Sequence, residues 1–458
     1  MLSVMPMFSA FRTSLFALFA MSAAWFIASC KNPAAPREPN KFASQATFIR
    51  RLDSIRVDNT AITLSGGAMR NALSLPSGDL LFVGELQRTG SLFRSAFVIR
   101  TNALGGVRWA KTYTDSIETL NTIAPLAGTS DFVASGSVFS GFNQTSGYAL
   151  RIDSLGNMRW SRVFTDSSRS VRFAGAVSQP NGNLWLYGQT RRTLSSGFSL
   201  FINDGFVVKI DANGQPFFQR RLRSLGSLSN TAGADIGFNS GVSFGESVIL
   251  AGYYTPIYDF VKSGIRRLVA RDLYLLTFNS AGDTTKSFLY DAQYPAGDVI
   301  DQSVSFNGKL NTADEAFTIL PMPDGTFAVF GQTNSTLFIL FLNSSLTNVL
   351  QRLTLPNVAS RSLSQVILSR DGYFVLVGAS SEKITVDGIR SPAPGGRDVY
   401  IAKMSVQGNL IWEITQGTSL DDEGLSIQQT VDGGYIITGR SNDKPLLLKV
   451  DERGLLAD

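Results

Sequence analysis

Seven short apolar runs in this chain each end in a glycine: Gly84, Gly136, Gly188, Gly252, Gly331, Gly378 and Gly439. One plan recurs along the chain. A polar turn precedes the run, a variable stretch follows it, and a second apolar run then ends in Asp or Asn. A tight turn with Gly comes next, and four residues past that Gly stands an aromatic residue. The clearest copy has Asp371-Gly372-Tyr373, FVLVG to Gly378, DVYIAKMSVQG to Gly408 and then Trp412. Earlier copies carry Gly156 with Trp160, and Gly214 with Phe218. Runs such as FVLVG and YIITG are too short for helices and rich in β-branched and aromatic residues. They are nearly continuous in apolar residues, so each reads as a strand covered on both faces.

Repeated units of this kind predict an all-β fold, a β-propeller of about seven four-stranded blades. In a repeat fold each unit extends the core, so one domain can hold most of the 458 residues. Asn343-Ser344-Ser345-Leu346 lacks the turn glycine and no Trp follows it, which leaves six or eight blades open. The last unit ends at Asp458 without a fourth strand. Phe48-Ile49-Arg50-Arg51-Leu52 reads like Phe218-Gln219-Arg220-Arg221-Leu222, the fourth strand of the third unit. The expectation is that this N-terminal strand closes the ring and leaves no sheet edge exposed.

The repeats resemble those of bacterial propellers that read DGGYI..G...D..L.K.D..G...W. Asp432-Gly433-Gly434-Tyr435-Ile436 and Asp153-Ser154-Leu155-Gly156 with Trp160 carry the likeness, over residues 45–458. More loosely, the chain resembles the propeller lipoprotein of the outer-membrane β-barrel assembly machinery, which would imply an assembly-factor role. Quinoprotein dehydrogenases have similar repeats, but the longer Trp-docking motif of that family is missing here.

The N-terminus points the same way. Residues 13–29, TSLFALFAMSAAWFIAS, follow Arg12 and end in Ile27-Ala28-Ser29-Cys30. The apolar core is marginal for a bilayer, which takes about 20 residues. It has the plan of a secretion signal. The last four residues resemble the lipobox of bacterial lipoproteins, which implies lipid on the Cys30 thiol and cleavage before it. The resulting division is a signal peptide over 1–29, a lipidated Cys30 with a Pro-rich tether over 30–44, and one propeller domain over 45–458. The chain would then be secreted through the inner membrane and lipid-anchored in the cell envelope, at the outer membrane.

Composition removes most catalytic chemistry. The chain has no histidine, and Cys30 is its single cysteine. Ser-His-Asp triads, Cys-His dyads, His/Cys zinc sites and disulfides are therefore absent. No cofactor is expected. The net charge of +5 is small and the basic residues are scattered, so nucleic acid is not expected as a partner.

In a four-stranded meander the first and third turns lie on one face of the disc. The second turns and the crossovers to the next blade lie on the other. The first and third turns here are short and regular, whereas 189–204, 253–272 and 379–398 (second turns) and 222–236 and 289–316 (crossovers) are long and irregular. Binding is expected on that variable face. Its richest patch holds Tyr253, Tyr254, Tyr258, Asp259, Tyr290, Asp291, Tyr294, Asp298 and Asp301, set against the plainer reading of packed tyrosines in solvated loops. Two columns invite functional readings: Arg100, Arg151, Lys209, Lys403 and Lys449 on the third strands, and Asp153, Asp211 and Asp451 two places later. The first is read as stems packed along the blades with heads reaching water or a nearby Asp, the second as turn stabilisation. The sequence favours a binding or scaffold module whose partner is a protein or polysaccharide. The rival is a carboxylate-based glycan hydrolase or lyase, for which Asp421-Asp422-Glu423 is a candidate run.

Overall fold

The computed structural model describes residues 47–456, apart from 115, 142–143, 168, 197, 224–230, 261–264, 269–270, 291–313, 334–335 and 356–360. Cys30 and the proposed signal and tether lie outside the described residues. All the described secondary structure is β. The strands form seven antiparallel four-stranded blades, whose strands are called a to d from the axis outward. Blade 1 is Thr60–Ser74, Leu80–Arg88, Arg94–Thr101 and Val107–Thr112; blade 2 is Ile117–Pro125, Phe132–Gly141, Gln144–Ile152 and Met158–Phe164. Blade 3 is Ser170–Ser178, Leu184–Ser196, Phe198–Ile210 and Pro216–Leu222; blade 4 is Thr231–Phe244, Ser247–Phe260, Asp272–Phe278 and Thr284–Tyr290. Blade 5 is Asp314–Pro321, Phe327–Thr333, Thr336–Leu342 and Val349–Leu355; blade 6 is Arg361–Leu368, Phe374–Ser380, Asp398–Met404 and Leu410–Gln416. Blade 7 takes Asp422–Gln429, Tyr435–Ser441 and Lys444–Val450 from the C-terminus and Phe48–Arg51 from the N-terminus.

The ring closes as the sequence predicts, with Phe48 opposite Lys449 and Arg51 opposite Leu446. The likeness to Phe218–Leu222 extends to contacts. Arg50 lies over the Phe48 ring and donates to the Gly105 carbonyl, and Arg220 lies over Phe218 and donates to the Gly282 carbonyl. Packing gives the same answer. The described side chains at the centres of strands b and c are buried, and a separate hydrophobic cluster fills each of the seven junctions between neighbouring blades. The junction of blades 7 and 1 joins Ile436 and Leu447 to Leu80, Phe82 and Phe97.

The strand-ending glycines follow from a repeated β-bulge. In every blade strand a carries one extra residue just past the partner of that glycine: Arg70, Asn121, Ala174, Asn239, Phe317, Ser364 and Leu425. The bulge drives a strand-a carbonyl toward the glycine. A Cβ would lie 1.8–2.1 Å from that oxygen at six of the seven glycines, and 3.0 Å from it at Gly331, where the Phe338 ring is closer still. Only glycine fits.

The aromatic position has a matching cause. Six c–d turns are Asx turns closed by a residue with positive φ, as where Asp153 Oδ1 accepts from the Leu155 and Asn157 amides and Gly156 has φ +78°, and in blade 6 the Ser405 hydroxyl takes the carboxylate's place. In five blades the aromatic ring packs against the turn glycine of the next: Trp109 on Gly156, Trp160 on Gly214, Phe218 on Gly282, Trp412 on Gly454 and Phe48 on Gly105. The aromatic thus locks consecutive blades together rather than merely filling the rim. In blade 5, where no glycine is available, buried Leu346 adopts φ +55°, and Asn343 Oδ1 still accepts from Thr347 at 2.8 Å. The deviant unit is therefore a full blade, and the count is seven.

Both residue columns serve this interlock. Arg100 joins Asp79 of its own blade to the Ser154 carbonyl of the next, and Arg151 joins Asp131 to the Ala212 carbonyl. Lys209 donates to the Ser280 carbonyl, Lys403 to Asp371, and Lys449 to Asp432 and the Ala103 carbonyl. Asp211 and Asp451 cap their turns as Asp153 does.

Candidate functional site

The a–b and c–d turns, with their interlocks, occupy one face. The opposite face carries the b–c connections, and several of these are hairpins rather than irregular loops. Strands b and c of blade 3 stay paired out to Ser196 and Phe198. In blade 4 strand b runs on to Phe260, where it pairs with Ile265–Leu268. The blade 6 connection holds a small hairpin, Glu382–Ile384 with Arg390–Pro392. These stretches lack the strict alternation that marks a half-buried strand in sequence, so they read as loops.

The predicted patch divides. Tyr254 and Tyr290 are buried, Tyr254 against Tyr274 and Tyr290 against Phe338. They pack the core and offer no surface. Tyr258 and Asp259 lie in the hairpin extension of blade 4, their backbones opposite Arg267 and Arg266. Asp291, Tyr294, Asp298 and Asp301 lie outside the described residues. Tyr253 belongs to a polar network that the sequence reading missed. Its ring stacks on the Arg271 guanidinium at 3.9 Å, and its hydroxyl accepts from Asn203 Nδ2 at 3.2 Å. Arg271 donates to Glu315 Oε2 at 2.6 Å, Gln332 donates to Glu315 Oε1 at 2.8 Å, and the Asn203 amide donates to Asp235 at 2.7 Å. Burial raises the Asp235 carboxyl above its ordinary range, against the opposing Asn203 amide and Arg271. Burial, with the Asp235 charge nearby, pushes Tyr253 up to about 12. Tyr253 is thus a neutral hydroxyl at any physiological pH, able both to donate and to accept.

A second network lies at blades 7 and 1. Fully buried Glu85 is met by Arg70 at 2.8 Å, Arg94 at 3.2 Å and the Thr119 hydroxyl at 3.1 Å, while Arg440 meets Glu423 at 2.8 Å. The candidate acidic run separates into three roles. Asp421 pairs with Arg397, Asp422 is fully buried and bonded to Thr418, and Glu423 pairs with Arg440.

Both networks use the same two positions of each blade. One is the residue after the strand-b glycine: Glu85, Ser137, Gln189, Tyr253, Gln332, Ala379 and Arg440. The other precedes the glycine's partner on strand a: Ala68, Thr119, Arg172, Gly237, Glu315, Ser362 and Glu423. The first set could have been found in sequence by reading one residue past each repeated glycine.

No protein family's sequence profile matches this chain, and no curated protein resembles it in sequence. Among solved structures it is similar to an α-L-arabinanase of Penicillium chrysogenum complexed with arabinobiose, at 13% identity and TM-score 0.41, over 72% of this chain and 92% of that one. It is also similar to the Dos1 propeller, at 11% identity and TM-score 0.45, over 88% and 95%. A third is a putative 6-phosphogluconolactonase of Bacteroides uniformis, at 11% identity and TM-score 0.43, over 83% and 95%. The seven-bladed ring stands on this chain's own strand pairing, and none of these likenesses bears on activity.

Proposed function

We propose that this chain is a cell-envelope lipoprotein, anchored through Cys30, that binds a protein or polysaccharide with the face carrying the hairpins. The observation behind this reading is a contrast between the two faces. Equivalent positions on the turn face repeat the same chemistry in five of the seven blades, blades 4 and 5 departing from it, because they hold the ring together. Equivalent positions at the mouth of the other face run through Glu, Ser, Gln, Tyr, Gln, Ala and Arg, and the fold requires none of these in particular. Side chains that vary while the scaffold repeats are those that a partner can read. The tips of this face add exposed apolar groups, with Leu92 90% and Val386 70% exposed. The test replaces residues 257–268 with a short Gly-Ser turn, sparing Tyr253 and Tyr254, which belong to the blade. Loss of the partners that co-purify with detergent-extracted wild type, with the thermal unfolding temperature unchanged, supports the reading. Unchanged partners, after both this swap and truncation of the 382–392 hairpin, exclude this face.

Carboxylate-based glycan hydrolysis is favoured as a second reading by one feature. Glu315 and Glu423 occupy the same strand-a position at the mouth, on blades 5 and 7 with one blade between them. Each is held by an arginine. Glu315→Gln and Glu423→Gln should each abolish any hydrolysis of envelope polysaccharides. Activity that survives both removes this reading.

A further inference from the structure

We propose that a hard cation, with Ca²⁺ the best match, is held between blades 6 and 7 by Asp398 and Asp422. Asp398 opens strand c of blade 6 and is 3% exposed, and Asp422 opens strand a of blade 7 and is fully buried. Gly417, in the crossover between the blades, shows how they converge. A Cβ at that residue would lie 2.6 Å from Asp398 Oδ1 and 2.7 Å from Asp422 Oδ2. Two carboxylates therefore face one small space beneath the backbone. Asp422 accepts from the Thr418 amide and from its hydroxyl at 3.0 Å, and that hydroxyl lies 3.3 Å from Ser441 Oγ. Asp398 Oδ1, by contrast, is buried with no hydrogen-bond partner among the described residues.

Burying two like charges is costly unless something of opposite sign joins them. The fold shows the remedy elsewhere. Asp204 holds the equivalent position in blade 3, two residues before the partner of the strand-b glycine. It is equally buried, and Arg169 meets it at 2.8 Å and Arg223 at 3.4 Å. In blade 6 no guanidinium meets Asp398 among the described residues, and the Lys383 ammonium acts on it through its charge without a hydrogen bond. Arg397, next to Asp398, turns to Asp421 at 2.8 Å instead. The donors gathered here are all oxygen: two carboxylates and the hydroxyls of Thr418 and Ser441. Such a set suits a hard divalent ion, and Ca²⁺ accepts irregular oxygen geometry more readily than Mg²⁺. Among the described residues no group of three or more Cys, Asp or Glu forms a metal site, so carboxylates alone do not reveal this one. An ion here would tie the penultimate blade to the blade that closes the ring.

The experiment strips the purified protein with EDTA at pH 7.5 and follows thermal unfolding and bound metal as CaCl₂ or MgCl₂ is added. The expected result is a rise in unfolding temperature, larger for Ca²⁺, with one ion retained per chain after desalting. Asp398→Asn should abolish the rise and the retained ion, while being at least as stable as stripped wild type because it removes the repulsion. Asp421→Asn, at a carboxylate that pairs with Arg397, should retain both. If stripped wild type ignores both ions, or if Asp398→Asn responds as wild type does, the proposal is wrong.

Discussion

Two glycines six residues apart in one hairpin should tolerate alanine very differently. Gly372 closes the a–b turn of blade 6 with φ +82°, and a Cβ there would meet nothing within 4 Å. Gly378 needs no positive φ, yet its Cβ would sit 1.8 Å from the Ser362 carbonyl oxygen. At Gly372 alanine bears only the left-handed backbone penalty, about 1–2 kcal/mol. At Gly378 the oxygen has to retreat by about 1.5 Å to reach an ordinary carbon–oxygen contact near 3.3 Å. That movement pulls strand a off strand b at the bulge and disturbs the layer that includes Val377 and Val399. Lost ladder bonds and overpacking together put the cost at roughly 3–5 kcal/mol. Urea unfolding of Gly372→Ala and Gly378→Ala, followed by tryptophan fluorescence, measures both. A conformational-freedom account of the repeat glycine predicts the opposite order. Equal costs, or a Gly378→Ala cost under about 1 kcal/mol, would refute the bulge explanation.

Other expectations follow from the interlocks. Phe48→Ala removes the ring that lies on Gly105 and should destabilise the fold by roughly 1–3 kcal/mol, measured by urea unfolding, although the residue belongs to the outermost strand of its blade. Leu346→Gly relieves the left-handed strain but empties a buried site in the core between blades 4 and 5, so a net loss of about 1–3 kcal/mol is expected in the same assay. At Asp432 burial alone would raise the carboxyl, but Lys449 and Thr430 overcome it and hold the carboxyl below the ordinary 3.8. A depressed carboxyl contributes stability above its unfolded pKa and loses it as pH falls through the folded value. Lys449→Met should therefore cost stability at pH 7, and the difference from wild type should shrink in urea melts below about pH 4. Cys30→Ser should release the protein from membranes in a fractionation experiment, and retention in the membrane pellet would count against the lipid anchor.

Much of the scaffold was legible because its constraints are local and repeated. A glycine, an Asx turn and an aromatic four residues on can be counted without knowing what they touch. Closure was legible because Phe48–Leu52 copies Phe218–Leu222, down to the arginine that caps the turn of the following blade. The reason for the strand-b glycine was not legible, since the clash lies with a carbonyl on another strand and appears only once register and bulge are known. The hairpin extensions were hidden for a related reason: strands that project beyond the core need no apolar alternation. Tyr254 and Tyr290 show the limit for sites, because a tyrosine next to a loop in sequence can face either solvent or the next blade. Glu315 gave no signal in isolation, and Glu423 stood out only as one of the adjacent acids Asp421-Asp422-Glu423. They matter because the bulge brings strand a alongside the residue after each glycine.

Hydrogen exchange at the amides of Phe48, Arg50 and Leu52, the ones that face Lys449, Leu447 and Pro445, tests the closed ring most directly. With Phe48–Arg51 paired to Leu446–Lys449, these amides should be protected to nearly the same degree as Tyr435–Ser441 in the middle of the same blade. Exchange at the rate of an unstructured chain end, with the central strands still protected, would contradict the closure on which the seven-bladed account stands.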